Sequence, residues 1–95
     1  MTTKFKDLIV FFKAVANEER LEIVKLLLKN NEMMAQSVEK HFFLEQSTTS
    51  HHLNTLRRAG ITNTRKCGRN VYYSINYDYI KGIMDNIHNV FSKYR

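Results

Sequence analysis

Residues 47–60 read STTSHHLNTLRRAG, and the reading of this stretch decides the fold. On a helical wheel Thr49, Leu53 and Leu56 point one way, with His52 beside them and Gly60 continuing the line. Ser47, His51, Asn54 and Arg58 point the opposite way, flanked by Thr48 and Thr55. A solvent-facing helix ordinarily carries Glu and Lys four residues apart, which strengthens it. This one has no acid, and Ser, Thr, Asn and His are mediocre helix formers. Helix propensity is given up for a face with short donors and acceptors at one end and long cations at the other. Short polar side chains, here Ser47, Thr48, Ser50, His51 and Asn54, suit a major groove, where base edges present hydrogen-bonding groups close by. Arg57 and Arg58 have the reach and charge for phosphates.

Working outward, Val38 and Phe42 lie four apart on a short helix over roughly 35–43, and Leu44 packs at a tight turn. The groove-type helix then runs from about 46 to 59, and Gly60 stops it. After Gly60 the period changes to two. Residues 61–66 and 71–75 read as short strands, with Val71, Tyr73 and Ile75 alternating with Tyr72 and Ser74. Cys67-Gly68-Arg69-Asn70 forms the hairpin tip, Gly68 supplying a positive backbone angle. Arg65, Lys66 and Arg69 crowd this tip, which suits phosphates or an adjacent minor groove.

Toward the N-terminus, Phe5, Leu8, Ile9 and Phe12 predict a helix over about 4–16 with one oily face. Asn17 caps the next helix, and Glu18 and Glu19 suit its positive end. Leu21, Val24, Leu27 and Leu28 are expected to form its buried stripe. Asn30-Asn31 can take the left-handed conformation that ends a helix, and Glu32-Met33-Met34 is briefly extended. A last helix covers about 77–93. Its apolar residues Ile80, Met84, Ile87, Phe91 and Tyr94 are spaced four, three, four and three apart, a coiled-coil-like seam. The predicted architecture is mainly α: about five helices plus a two-stranded antiparallel hairpin, a winged helix-turn-helix.

The totals agree. Ninety-five residues make one domain, 1–95, too small for two. The chain has no Pro and 3 Gly, which favours helix. A lone cysteine, Cys67, leaves no internal disulfide and fits a reducing compartment. No stretch reads as a signal peptide or a bilayer span, so a cytoplasmic, nucleoid-associated protein is expected. The net charge is +6, and its placement is informative. After Glu45 the next acid is Asp78, and between them lie Arg57, Arg58, Arg65, Lys66 and Arg69. A third of the chain is purely basic, the footprint of a surface that meets a polyanion.

At this point the chain resembles the ArsR/SmtB-type winged-helix repressors. The resemblance is carried by Ala16-Asn17-Glu18-Glu19-Arg20-Leu21-Glu22-Ile23, Gln46-Ser47-Thr48-Thr49-Ser50-His51-His52-Leu53, Leu56-Arg57-Arg58-Ala59-Gly60-Ile61 and Gly68-Arg69-Asn70-Val71-Tyr72-Tyr73-Ser74-Ile75. It covers most of the chain in the right order and spacing. It implies a homodimeric regulator of transcription that binds a palindromic double-stranded DNA operator through the helix bearing Ser47, Thr48, Ser50 and His51. It also implies a dimer interface on the first and last helices, which here carry Phe5, Leu8, Ile9, Phe12, Ile80, Met84, Ile87 and Phe91.

The family's metal motifs are missing. Where one common site has thiolates, this chain has Met34 and Gln36, and a thioether and an amide do not replace thiolates. At the positions of the second common site stand Tyr77, Tyr79, Val90 and Lys93. The resemblance therefore implies DNA binding without the usual metal ligands; no cofactor is expected, and the inducer is left open. Asp85 and His88 share a face of the last helix but form no motif. Cys67 lies beside Lys66 and close to Arg69 at the basic hairpin, and as a lone cysteine it has no resolving partner in the chain. Ser50, His51 and His52 lack an orienting carboxylate, and no Gly-rich phosphate loop exists, so an enzyme is not expected. Two other readings stay open: a winged-helix module that regulates another factor by protein contact, and a metal or redox sensor with an atypical site.

Overall fold

The computed structural model describes residues 5–94; residue 4, where the first helix is expected to begin, lies outside them. The order is α1 (Phe5–Val15), α2 (Glu18–Asn30), β1 (Glu32–Met34), α3 (Ala35–Phe42), α4 (Gln46–Arg58), β2 (Thr62–Cys67), β3 (Asn70–Ile75) and α5 (Tyr77–Tyr94). Five helices and a small antiparallel sheet make the expected winged helix-turn-helix. The sheet has three strands in the order β1-β3-β2, where two were expected. Met33 pairs with Tyr73 and Met34 with Tyr72, so the short extended segment after α2 becomes an edge strand. Three residues are too few to show a period of two, which is why the pattern alone leaves this strand out.

Several helix ends have a local cause. The Asn17 side chain accepts a hydrogen bond from the Arg20 backbone N–H at 3.0 Å and opens α2. Asn31, at φ 62°, turns the chain from α2 into β1. Phe43, at φ 56° and ψ 39°, closes α3 in the left-handed region, and the backbone N–H of Leu44 donates to the Glu39 carbonyl at 3.0 Å. At the end of α4, Ile61 N–H donates to the Leu56 carbonyl and Gly60 N–H to that of Arg57, each at 3.0 Å. That is the Schellman closure, and it fits Gly60 at φ +91°. The buried pair Leu56 and Ile61 supplies the apolar contact that accompanies such a closure. Gly68, at φ 62°, occupies the first of two turn positions between Cys67 and Asn70, which pair across the hairpin.

The core is built from one face of each helix. Ile23, Leu27, Val38, Leu53, Leu56, Ile61 and Ile83 are fully buried. Two expected stripes are corrected. In α1 the buried residues are Leu8, Phe11 and Ala14, so Leu8, at 5% exposure, belongs to the chain's own core. Phe5, Ile9 and Phe12 stay on the open side. In α2 the core takes Ile23, Leu26 and Leu27, while Leu21 and Leu28 remain half exposed. Apolar residues wrap more than half of α2, so sequence periodicity does not choose a face; packing against α1, α4 and β3 does. On α5, Ile83 is buried, Ile80 and Ile87 pack partly on the core, and Met84 and Phe91 are exposed.

Candidate nucleic-acid interface

The wheel drawn for α4 matches its packing. Thr49, His52, Leu53 and Leu56 are buried, and Ser47, Ser50, His51, Asn54, Arg57 and Arg58 are exposed, with Thr48 half buried. Buried Thr49 satisfies its hydroxyl on the Glu45 carbonyl at 3.1 Å. Thr55 does the same on the His51 carbonyl at 2.9 Å. The helix thus pairs the hydroxyls of buried Thr49 and half-buried Thr55 on its own backbone and presents the remaining polar groups outward.

The wing sits beside the N-terminal half of this face. Arg69, Asn70, Val71 and Tyr73 line a groove of about 240 Å³ with Gln46 and Ser50 of α4 and with Gln36 and Glu39 of α3. The structure therefore brings Arg69 and Ser50 to one groove. Lys66 and Arg69 are exposed near the hairpin tip.

Arg65 stands apart from them. Its Nη2 donates to Glu32 Oε1 at 2.7 Å and its Nε to Oε2 at 3.1 Å, a two-pronged pair across the sheet from β2 to β1. The guanidinium also lies 4.8 Å from the centroid of the Tyr72 ring on the intervening strand. Hydrogen bonding to Arg65 holds the Glu32 carboxyl below its usual range, and Glu32 in turn raises the Arg65 pKa. Both groups are exposed, so solvent screens the pair and its role is geometric. In this structure Arg65 ties the wing to β1. The acid-free window of the sequence is consequently not acid-free in space, because Glu32 and Glu39 fold in beside it.

The structural role of His52 lies beyond what the helical pattern shows. It is 5% exposed and joins α4 to α2. Its Nε2 lies 2.8 Å from Glu19 Oε1, and its Nδ1 lies 3.3 Å from Arg20 Nη1. Arginine has no acceptor, so Nδ1 accepts and the ring proton sits on Nε2, donating to Glu19. Arg20 in turn donates from Nε to the Ala14 carbonyl at 2.6 Å. Adjacent histidines thus have opposite fates: His51 faces out, and His52 moors α4 to α2, whose Arg20 in turn reaches α1. The only hint in the sequence was the position of His52 beside the buried line.

Of the atypical ligand candidates, Asp85 accepts from Lys81 Nζ at 2.9 Å, which raises the Lys81 pKa, and His88 Nε2 lies 3.4 Å from Ser92 Oγ. Among the described residues, no three His, Cys, Asp or Glu side chains are gathered as a metal ion requires. Cys67 is an exposed free thiol. Among the described residues, no helix is long and apolar enough to cross a membrane.

A short helix, a left-handed turn, a second helix with a polar outward face and a hairpin beside it define a winged helix-turn-helix of the transcription-regulator class. Residues 17–64 match the family described as "Bacterial regulatory protein, arsR family". The transcriptional activator HlyU of Vibrio cholerae is 37% identical over 83 residues, covering 87% of this chain and 76% of HlyU. The cadmium resistance transcriptional regulatory protein CadC of Listeria innocua is 36% identical over 75 residues, which are 79% of this chain and 63% of CadC. The solved structure of HlyU from Vibrio cholerae N16961 superposes with a TM-score of 0.75 at 35% identity, covering 97% of this chain and 99% of that one. The chain belongs to the ArsR family of transcriptional regulators, which are not enzymes.

Proposed function

We propose that this protein is a homodimeric repressor that binds a palindromic operator through α4 and the wing. The observation that carries the reading is the outward face of α4. Ser47, Ser50, His51, Asn54, Arg57 and Arg58 are exposed together, and Arg69 of the wing shares a groove with Ser50. Ser47, Thr48, Ser50, His51 and Asn54 read base edges in the major groove. Arg57, Arg58, Lys66 and Arg69 contact phosphates. Arg65 acts through its tie to Glu32, by holding the wing at its angle.

The dimer is supported by apolar surface that the single chain leaves open. Phe5, Ile9 and Phe12 on α1 and Met84 and Phe91 on α5 are exposed, Phe91 by 73%. Helices α1 and α5 pack together, so these residues lie on adjoining elements. A small domain gains core by burying such a surface against a second copy. Two-fold symmetry would then set the two α4 helices about 34–36 Å apart, one turn of DNA. Bound there, the dimer blocks polymerase. Release does not run through the family's thiolate site, because Met34 and Gln36 occupy its positions.

Sedimentation and a salt titration of duplex binding test this together. The expected result is a dimer whose DNA affinity falls steeply from low to moderate salt. Phe91→Asp should yield monomers with weakened DNA binding. Arg69→Ala should weaken binding almost equally on all sequences, whereas His51→Ala should change sequence preference. A monomer that ignores DNA at modest ionic strength would end the proposal.

A further inference from the structure

We infer that the cleft between α1 and α4 is a binding site for a small organic anion with an apolar body. The cleft is wide and open to solvent, with a volume of about 420 Å³, enough to seat one face of a small molecule. Val10, Ala14 and Ala59 supply apolar lining, and Lys13, Arg20, His51 and Arg58 supply cations or protonatable donors. No acid lines it among the described residues. Glu19, the acid joined to this corner of the fold, accepts from His52 at 2.8 Å.

Arg20 makes the cleft a prepared site rather than a loose basic patch. Its guanidinium is held by the Ala14 carbonyl at 2.6 Å, by His52 Nδ1 at 3.3 Å and, more loosely, by the Lys13 carbonyl at 3.5 Å. Those contacts use one N–H on each nitrogen, and a guanidinium has five, so two are left to give. An anchored fork loses little freedom on binding a carboxylate. The apolar lining favours an organic body over a hydrated phosphate, which gains nothing from Val10 or Ala59. Around α1 Val10 and Ala14 lie roughly a third of a turn from Phe5, Ile9 and Phe12, while Lys13 lies one turn beyond Ile9 at the edge of that apolar face.

His51 and Arg58 belong both to this cleft and to the proposed groove-facing surface. An occupant therefore competes with the duplex for two side chains. This coupling, unlike the binding itself, rests on the DNA-binding reading above.

The test titrates the full chain with 2-naphthoate, followed by calorimetry and amide chemical shifts. Naphthalene-2-methanol and inorganic phosphate serve as the neutral and the fully hydrated controls. Saturable naphthoate binding is expected, with shifts at Val10, Lys13, Thr55 and Ala59. Binding should be about tenfold weaker for the neutral alcohol, which loses one charge contact, and weaker still for Lys13→Glu, which reverses a charge of the site. Lys13 is exposed, so circular dichroism should confirm an unchanged fold. At fixed ionic strength, naphthoate should displace a labelled mixed-sequence duplex from the parent chain and not from Lys13→Glu. The inference is overturned by no saturable binding, by equal binding to Lys13→Glu, or by phosphate binding as tightly as naphthoate. The last result would assign the cleft to the DNA backbone. If naphthoate binds the parent and not the variant while no duplex binds either, the site stands and the DNA-binding reading fails instead.

Discussion

Replacing His52 with Ala removes the one buried imidazole that ties α4 to its neighbours. Two contacts go: the donor to Glu19 at 2.8 Å and the acceptor for Arg20 at 3.3 Å. Their weights differ. Glu19 is about half exposed, so water replaces much of what it loses and screens the rest. Arg20 is only partly exposed and keeps its 2.6 Å bond to Ala14, so one terminal N–H is left facing the space vacated by the ring. An unsatisfied charged donor together with a small cavity costs about 2–3 kcal/mol. For a domain of this size that lowers Tm by roughly 8–24 °C. Urea unfolding followed by far-UV circular dichroism measures it, at one protein concentration because self-association adds its own stability. Glu19→Ala should cost less than His52→Ala, and the double variant should show coupling of about 0.5–1 kcal/mol. The duplexes preferred by His52→Ala should match those of the parent, since this residue does not face outward. A His52→Ala chain within about 0.5 kcal/mol of the parent would refute the mooring role.

The Glu32–Arg65 tie makes a pH-dependent prediction. Glu32 titrates below its usual 4.5, so its contribution is complete above that value and is lost as pH falls through the lowered one. Carbon-detected NMR titration should find its midpoint below 4.5, and Arg65→Gln should return it toward 4.5; an unchanged midpoint would remove the tie. Gly60→Ala places a side chain at φ +91° with its Cβ 3.2 Å from the Tyr79 ring. A loss of about 1–3 kcal/mol in urea unfolding is expected, and an unaffected chain would contradict the closure described for α4.

What was legible in the sequence was whatever depends on near neighbours along the chain. The helices, the Asn17 cap, the stop at Gly60, the hairpin turn at Gly68 and the two faces of α4 all follow from periods of 3.6 or 2 and from residues suited to left-handed angles. So does the exposure of Ser47, Ser50, His51, Asn54 and Arg58, because Thr49, Leu53 and Leu56 left only one way for α4 to face. The tertiary structure decided matters of partnership. Glu32 and Arg65 are thirty-three positions apart, as are Glu19 and His52, and no local pattern joins them. The same holds for the burial of Leu8, the choice of face on α2 and the recruitment of Glu32–Met34 as a third strand. A helix with more apolar residues than one face needs, or a strand of three residues, has no preferred side until a neighbour packs against it. Periodicity says which residues share a face; only the fold says what that face meets.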